Sequence, residues 1–163
     1  MNKLRNIINK VTEYLAVFIL AFMTLLVTWQ VITRFVLKSP STITEALAKY
    51  LFVWLVLITA AYVLGKREHM AIEFFIGKLK QRTQLICNLI TEVVIFAFAS
   101  IVMTYGGGYI ALNAMTQTDA ALGIPVGIVY LALPVAGVLA MFYSVCNMTD
   151  IVKKFKEVKE ETK

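Results

Sequence analysis

Histidine, cysteine and proline are scarce in this chain and charge is thin: its 163 residues include one histidine, two cysteines and three prolines, and only 16% are charged. A lone His69 excludes a bis-histidine haem or a multi-histidine metal site within one chain. Cys87 and Cys146 lie inside apolar stretches with no Cys-x-x-Cys spacing and no histidine nearby. That arrangement argues against a zinc site or a thiol–disulfide oxidoreductase and suits small buried hydrophobes. A glycine-rich phosphate loop and a Ser/His/Asp set are missing as well. No catalytic constellation can be assembled, so the chain reads as a non-enzyme without a cofactor.

Apolar side chains are what the sequence has in excess. Hydrophobic residues make up 60% of it and mean hydropathy is +0.77, well beyond an ordinary soluble domain. A helix needs about 20 predominantly apolar residues to cross a hydrocarbon core of about 30 Å. Four such segments nearly use up the chain. The expected fold class is therefore all-α integral membrane, one four-helix domain over 1–163, with spans at about 13–37, 45–65, 84–113 and 124–149. Short amphipathic helices at about 2–12 and 70–82 are expected in the membrane surface. The basic start has the outline of a signal peptide, but the apolar run at 14–33 is longer than a signal core and no small-x-small pattern follows it. It reads as a retained first span.

The stretch 45–72 organises the rest: Glu45 opens a membrane-length apolar helix and Lys66-Arg67-Glu68-His69 closes it. Upstream, Leu4, Ile7, Ile8 and Val11 share one helical face, which fits either a surface-lying helix or a basic leader. Thr24, Thr28, Trp29, Gln30 and Thr33 crowd the second half of the first span before Arg34. Polar groups at that depth imply a helix or subunit contact. Ser39-Pro40-Ser41-Thr42 then breaks the helix, and Thr42 or Thr44 is placed to cap the next one, with Glu45 in its first turn. Glu45 either pairs with Arg34, Lys49 or both, or all three reach into water.

Further along, Ile72, Phe75, Ile76 and Leu79 form a helical stripe flanked by Lys78, Lys80 and Arg82. The charge-free part of the third span begins after Glu92, which places that residue near the membrane interface. Gly106-Gly107-Gly108 permits close helix approach or a local break. The loop 115–123 carries Asp119 as its one charge, Pro125 suits the first turn of the fourth span, and Pro134 is expected to kink it. Lys3, Arg5 and Lys10, the loop from Lys66 to Arg82, and the lysine-rich tail put most positive charge on one side, leaving Arg34, Lys38 and Lys49 for the other. Both termini are thereby expected on the cytoplasmic side. The basic residues sit at the ends of apolar segments, not along a polar face, so they read as anchors to membrane lipid and not to nucleic acid. A self-contained carrier would show an ionisable residue facing the interior midway through a span. Glu13, Glu45 and Glu92 all fall near span ends.

Trp29-Gln30-Val31 followed by Arg34, Glu45 opening the second span, Trp54 and Gly65 within it, and Arg67-Glu68-His69-Met70 with Ile72 just after form an ordered set. With Leu122-Gly123-Ile124-Pro125 and Leu133-Pro134, it resembles the DctQ-like small membrane subunit of tripartite ATP-independent periplasmic (TRAP) transporters, over essentially the whole chain. The resemblance implies a bacterial inner-membrane, unfused accessory subunit of a sodium-coupled importer of organic acids such as dicarboxylates or sialic acid. It implies two protein partners: a large polytopic membrane subunit, which carries the substrate and sodium sites, and a periplasmic substrate-binding protein. This chain would then be a scaffold, with Trp29, Arg34, Glu45, Trp54, Arg67, Glu68 and His69 as candidate interface or anchoring residues. For the tryptophans the alternative is lipid-facing packing, and for Arg67, Glu68 and His69 it is topology-setting charge. A stand-alone oligomeric four-helix carrier is the competing reading of the whole.

Overall fold

The computed structural model describes residues 2–39, 41–66 and 81–161. Nothing between Asn2 and Phe35 is a glycine or a proline, so backbone hydrogen bonding continues without interruption and α1 runs Asn2–Phe35 as one helix. The separate surface helix expected at about 2–12 is thus the first turns of α1. Beyond Phe35 the Leu37 N–H reaches back to the Ile32 carbonyl, and Lys38 takes a left-handed conformation with φ of 51°. That closes the helix. The cap of α2, Thr42–Lys66, is Ser41 and not Thr42 or Thr44: its hydroxyl lies 3.5 Å from the Thr44 N–H. Ser41 precedes the first helical residue, where a side-chain acceptor can reach the third N–H of the turn. The helix expected at about 70–82 falls outside the described residues except at its last two positions, where α3, Gln81–Phe98, has begun.

The third span does not break at its glycines. From α3 it passes through a π-helical segment, Ala99–Gly106, into α4, Gly107–Ala114. Thr104 Oγ1 donates to the Ala99 carbonyl five residues back, at 2.8 Å. Close approach is realised at Gly107, where a Cβ would meet the Leu133 side chain at 2.7 Å, while Gly108 faces open space. The fourth span is divided into α5, Gly127–Tyr130, and α6, Ala132–Glu161. Pro134 therefore sits in the first turn of α6. Lacking an N–H, it cannot bond back to the previous turn, and the helix breaks just before it, at Leu131, instead of kinking within.

Four helices are long and apolar enough to cross a membrane: Lys3–Phe35, Thr42–Lys66, Arg82–Ala114 and Gly127–Lys156. Among the described residues there is no strand beyond an isolated bridge between Thr118 and Pro125. Helix α6 is central, packing on α2 at one side and on α3 with its π-helical extension at the other, while α1 packs mainly on α2. The spans thus stand in a row, in the order first, second, fourth, third. Ala61, Ala99, Ala136 and Ala140 form the shared core, because small side chains let helices approach closely where lipid gives no hydrophobic drive. On α1 the residues withdrawn from the surface step by four and three from Thr12 through Ala16, Ile19, Met23, Leu26 and Gln30 to Thr33. That 3.5-residue repeat is the seam of a left-handed helix pair. A single row one helix thick leaves large apolar side chains on both broad faces, Phe18, Leu25, Phe52, Val94 and Ile101 among them.

Candidate functional site

Side-chain bonds between the described helices gather at the two ends of the spans. At the end rich in lysine and arginine, Arg5 of α1 reaches across to α2 and α6. Its guanidinium donates to Asp150 Oδ2 at 3.0 Å, to the Gly65 carbonyl at 2.7 Å and to Asn147 Oδ1 at 3.1 Å. Gly65 belongs to the last turn of α2, whose carbonyls have no partner within the helix, so a cation there satisfies both an acceptor and the helix dipole. Asn147 passes the connection on: its Nδ2 donates to Glu92 Oε1 at 2.9 Å and approaches the Leu64 carbonyl at 3.5 Å. Ser144 Oγ, one turn away on α6, lies 2.8 Å from the Glu92 carbonyl and 2.9 Å from its Oε2. A hydroxyl has one proton, so it donates to one of these at a time.

Glu92 is only 7% exposed. Its position along the span suggests a residue near the interface, with no ionisable group turned inward; instead it points into the contact between α3 and α6. The cluster joins four helices around a buried carboxyl. The signal that could have found it is the spacing of Ser144, Asn147 and Asp150, three polar residues three apart on one face of an otherwise apolar span. Beside it Tyr143 is 1% exposed, and a Cβ on Gly65 would stand 2.5 Å from its ring. Only glycine lets α2 and α6 meet there.

At the opposite end Tyr50 of α2 donates its hydroxyl to Asp119 Oδ2 at 2.6 Å. The other carboxylate oxygen accepts the Ala121 and Leu122 N–H groups, each at 2.9 Å. Backbone bonds from the Asp119 N–H to Ile124 and from the Val126 N–H to Gln117 close the loop, and Gly123 supplies the left-handed turn at φ of 67°. The Tyr50 phenol holds the Asp119 carboxyl below the ordinary carboxylate range, followed by the Leu122 and Ala121 amides and the charge of Lys49, against an opposing desolvation.

Of the sequence-predicted residues, Glu45 pairs with Lys49 at 2.8 Å. Arg34 forms no ion pair with Glu45 among the described residues, though its charge acts on that carboxylate, and its guanidinium lies 5.9 Å from the ring centre of its neighbour Phe35. Trp29 is exposed and Trp54 half-buried on their separate helices. No hydrogen bond or ion pair links Trp29, Arg34, Glu45 and Trp54 to one another among the described residues. Arg67, Glu68 and His69 lie outside the described residues. Among the described residues, neither end brings an activated nucleophile together with a base.

A profile of the DctQ component of tripartite ATP-independent periplasmic transporters matches residues 23–154. The chain is 29% identical over 153 residues to the sialic acid TRAP transporter small permease protein of Vibrio cholerae, covering 94% of this chain and 88% of the relative. It is 31% identical over 140 residues to a TRAP transporter small permease protein of Haemophilus influenzae, with coverage of 85% and 86%. The sialic acid TRAP transporter permease protein of Haemophilus influenzae is 30% identical over 137 residues, which are 83% of this chain but 22% of that relative.

Proposed function

We propose a scaffold role from the premise that this chain belongs to the DctQ component family of tripartite ATP-independent periplasmic transporters, as a small permease subunit. In this reading it holds a large permease subunit at a fixed place in the bacterial inner membrane, within a sodium-coupled, binding-protein-dependent importer of organic acids. Small permease subunits of this family work with a large one. In the Haemophilus influenzae relative, a stretch similar to this chain is about a fifth of a longer permease.

The observation that carries the scaffold reading is the combination of an open row of helices with a buried polar clamp. Arg5, the Gly65 carbonyl, Asn147, Glu92, Ser144 and Asp150 tie all four spans together at one end, so the row is braced, while its broad apolar faces stay uncovered and fit for a membrane partner. The lysine-rich end is taken as cytoplasmic, with both termini there. The pinned loop around Asp119 then faces the periplasm as a platform for the binding protein. Trp29, Arg34, Glu45 and Trp54 remain the proposed anchoring residues on the described helices, and Arg67, Glu68 and His69 complete the proposed set. The names of the relatives favour sialic acid or a related carboxylate as cargo, selected by the partner components. An independent carrier is disfavoured because the carboxyl it would use, that of Glu92, is held by Ser144 and Asn147.

Uptake of labelled sialic acid and dicarboxylates into proteoliposomes tests this directly. Binding protein and large permease should take up cargo down a sodium gradient only when this chain is present. Saturable uptake by this chain alone, or full uptake without it, would overturn the scaffold role.

A further inference from the structure

Near the loop around Asp119, α2 and the fourth span part around a groove of about 320 Å³. Its deeper stretch is apolar, lined by Val53 and Leu57 of α2 and by Val129 and Leu133 of the fourth span. The stretch nearer the loop is lined by Lys49, Tyr50 and Tyr130. Polar and apolar groups thus line one cleft in a fixed order. From Lys49 to Leu57 the wall descends about 12 Å at 1.5 Å per residue. That is most of one leaflet of a hydrocarbon core about 30 Å thick, so the cleft has the depth and the polarity gradient of an amphiphile standing in the membrane.

The polar groups in the lining say which head it carries. An ammonium has three N–H donors, and the Lys49 ammonium uses one of them on Glu45 Oε1 at 2.8 Å. Tyr130 is 40% exposed, and among the described residues its hydroxyl has no hydrogen-bond partner. Lys49 and Tyr130 therefore offer donors to an anionic oxygen. Each of the other two lining groups brings a carboxylate: Glu45 is the ion-pair partner of Lys49, and Asp119 accepts from Tyr50 at 2.6 Å. One cation between two carboxylates does not favour a purely anionic head. It matches a head that carries both signs, with a phosphate for the donors and an ammonium for a carboxylate.

We propose that this groove binds a phosphatidylethanolamine-type lipid in the leaflet away from the lysine-rich end. An acyl chain lies against Val53, Leu57 and Leu133, the phosphate accepts from Lys49 and Tyr130, and the head ammonium donates to Glu45. The site is complete within this chain and does not depend on the scaffold reading.

Native mass spectrometry of the full chain in mild detergent, supplied with equal phosphatidylethanolamine, phosphatidylglycerol and phosphatidylcholine, tests it. The unsubstituted chain should retain phosphatidylethanolamine about threefold or more over each of the others. Phosphatidylglycerol lacks the ammonium, and the trimethylated ammonium of phosphatidylcholine has no N–H to donate. Tyr130→Phe removes one hydroxyl and should lower phosphatidylethanolamine retention about three- to tenfold. Val53→Trp, which fills the groove, should reduce retention of all three lipids, whereas Val94→Phe on α3 should leave all three unchanged. Equal retention of the three lipids, a preference for phosphatidylglycerol, or undiminished retention by both Tyr130→Phe and Val53→Trp would overturn the site. So would capture of a protein in place of lipid by a photo-crosslinker at Val53 in native membranes.

Discussion

Arg5 does more than its place in a basic leader suggests. Read by charge alone it is one of three cations that set topology, yet its fork reaches three acceptors on two other helices. Replacing it by alanine removes a charge-assisted set of bonds and should cost about 2–3 kcal/mol, seen as a lower melting temperature in detergent. Lysine, a single ammonium, should recover only part of the loss. Full recovery by lysine would mean that charge and not the fork is what holds the helices. Glu92 offers a second test. Glu92→Leu removes the 2.9 Å carboxyl acceptor of the Asn147 amide, although Ser144 keeps the carbonyl of residue 92, and should cost about 1–3 kcal/mol, while Glu92→Gln keeps one acceptor and should cost less. Equal losses from the two would remove the carboxyl from the account. Neither role was legible from position along the span, because facing depends on how α6 is rotated against α2 and against the third span, and that is fixed by Gly65, Gly137 and the alanines between them.

Among the elements, the loop between α4 and α5 is expected to lose order at low pH. The folded carboxyl of Asp119 titrates below its unfolded value, so its bonds contribute fully above the ordinary carboxylate pKa of about 4 and are lost as pH falls through the depressed folded value. Amide hydrogen exchange should show Ala121 and Leu122 protected at neutral pH and opening only in that acidic range. Tyr50→Phe removes the largest cause of the depression and should move the opening to higher pH. An unchanged midpoint would show that the backbone amides alone set it.

The π-helical segment makes a different prediction. A Cβ at Gly137 would meet Thr104 Oγ1 at 2.6 Å and the Ala99 carbonyl at 3.1 Å, so Gly137→Ala should force α6 and the third span apart. Faster exchange across Ala99–Gly106 is the expected signature. Hydropathy and glycine spacing announced a close contact in the third span, but the wide turns that accommodate it follow from the partner helix and not from any local residue type. The cap of α2 shows the same limit in miniature: Ser41, Thr42 and Thr44 are all chemically able, and only the helix start selects Ser41.

At the scale of the whole molecule, composition and apolar run length made four spans and the all-α class readable, since membrane thickness sets helix length directly. The order of the spans in a row was not readable, because any of several arrangements buries small residues equally well. That order matters for function: a row leaves two broad faces, and the buried clamp at one end braces it without closing it. The family relation is carried by residues 23–154, which contain Glu92, Ser144, Asn147 and Asp150 but not Arg5. The first cation of the clamp thus comes from outside the matched stretch.

The central claim is that this chain is one part of a larger permease. Its most direct test is to tag the chain, express it in its native host, purify it in mild detergent and identify by mass spectrometry what remains bound. A large polytopic membrane protein should be recovered in fixed proportion to this chain. Recovery of this chain alone as a discrete homo-oligomer would contradict it.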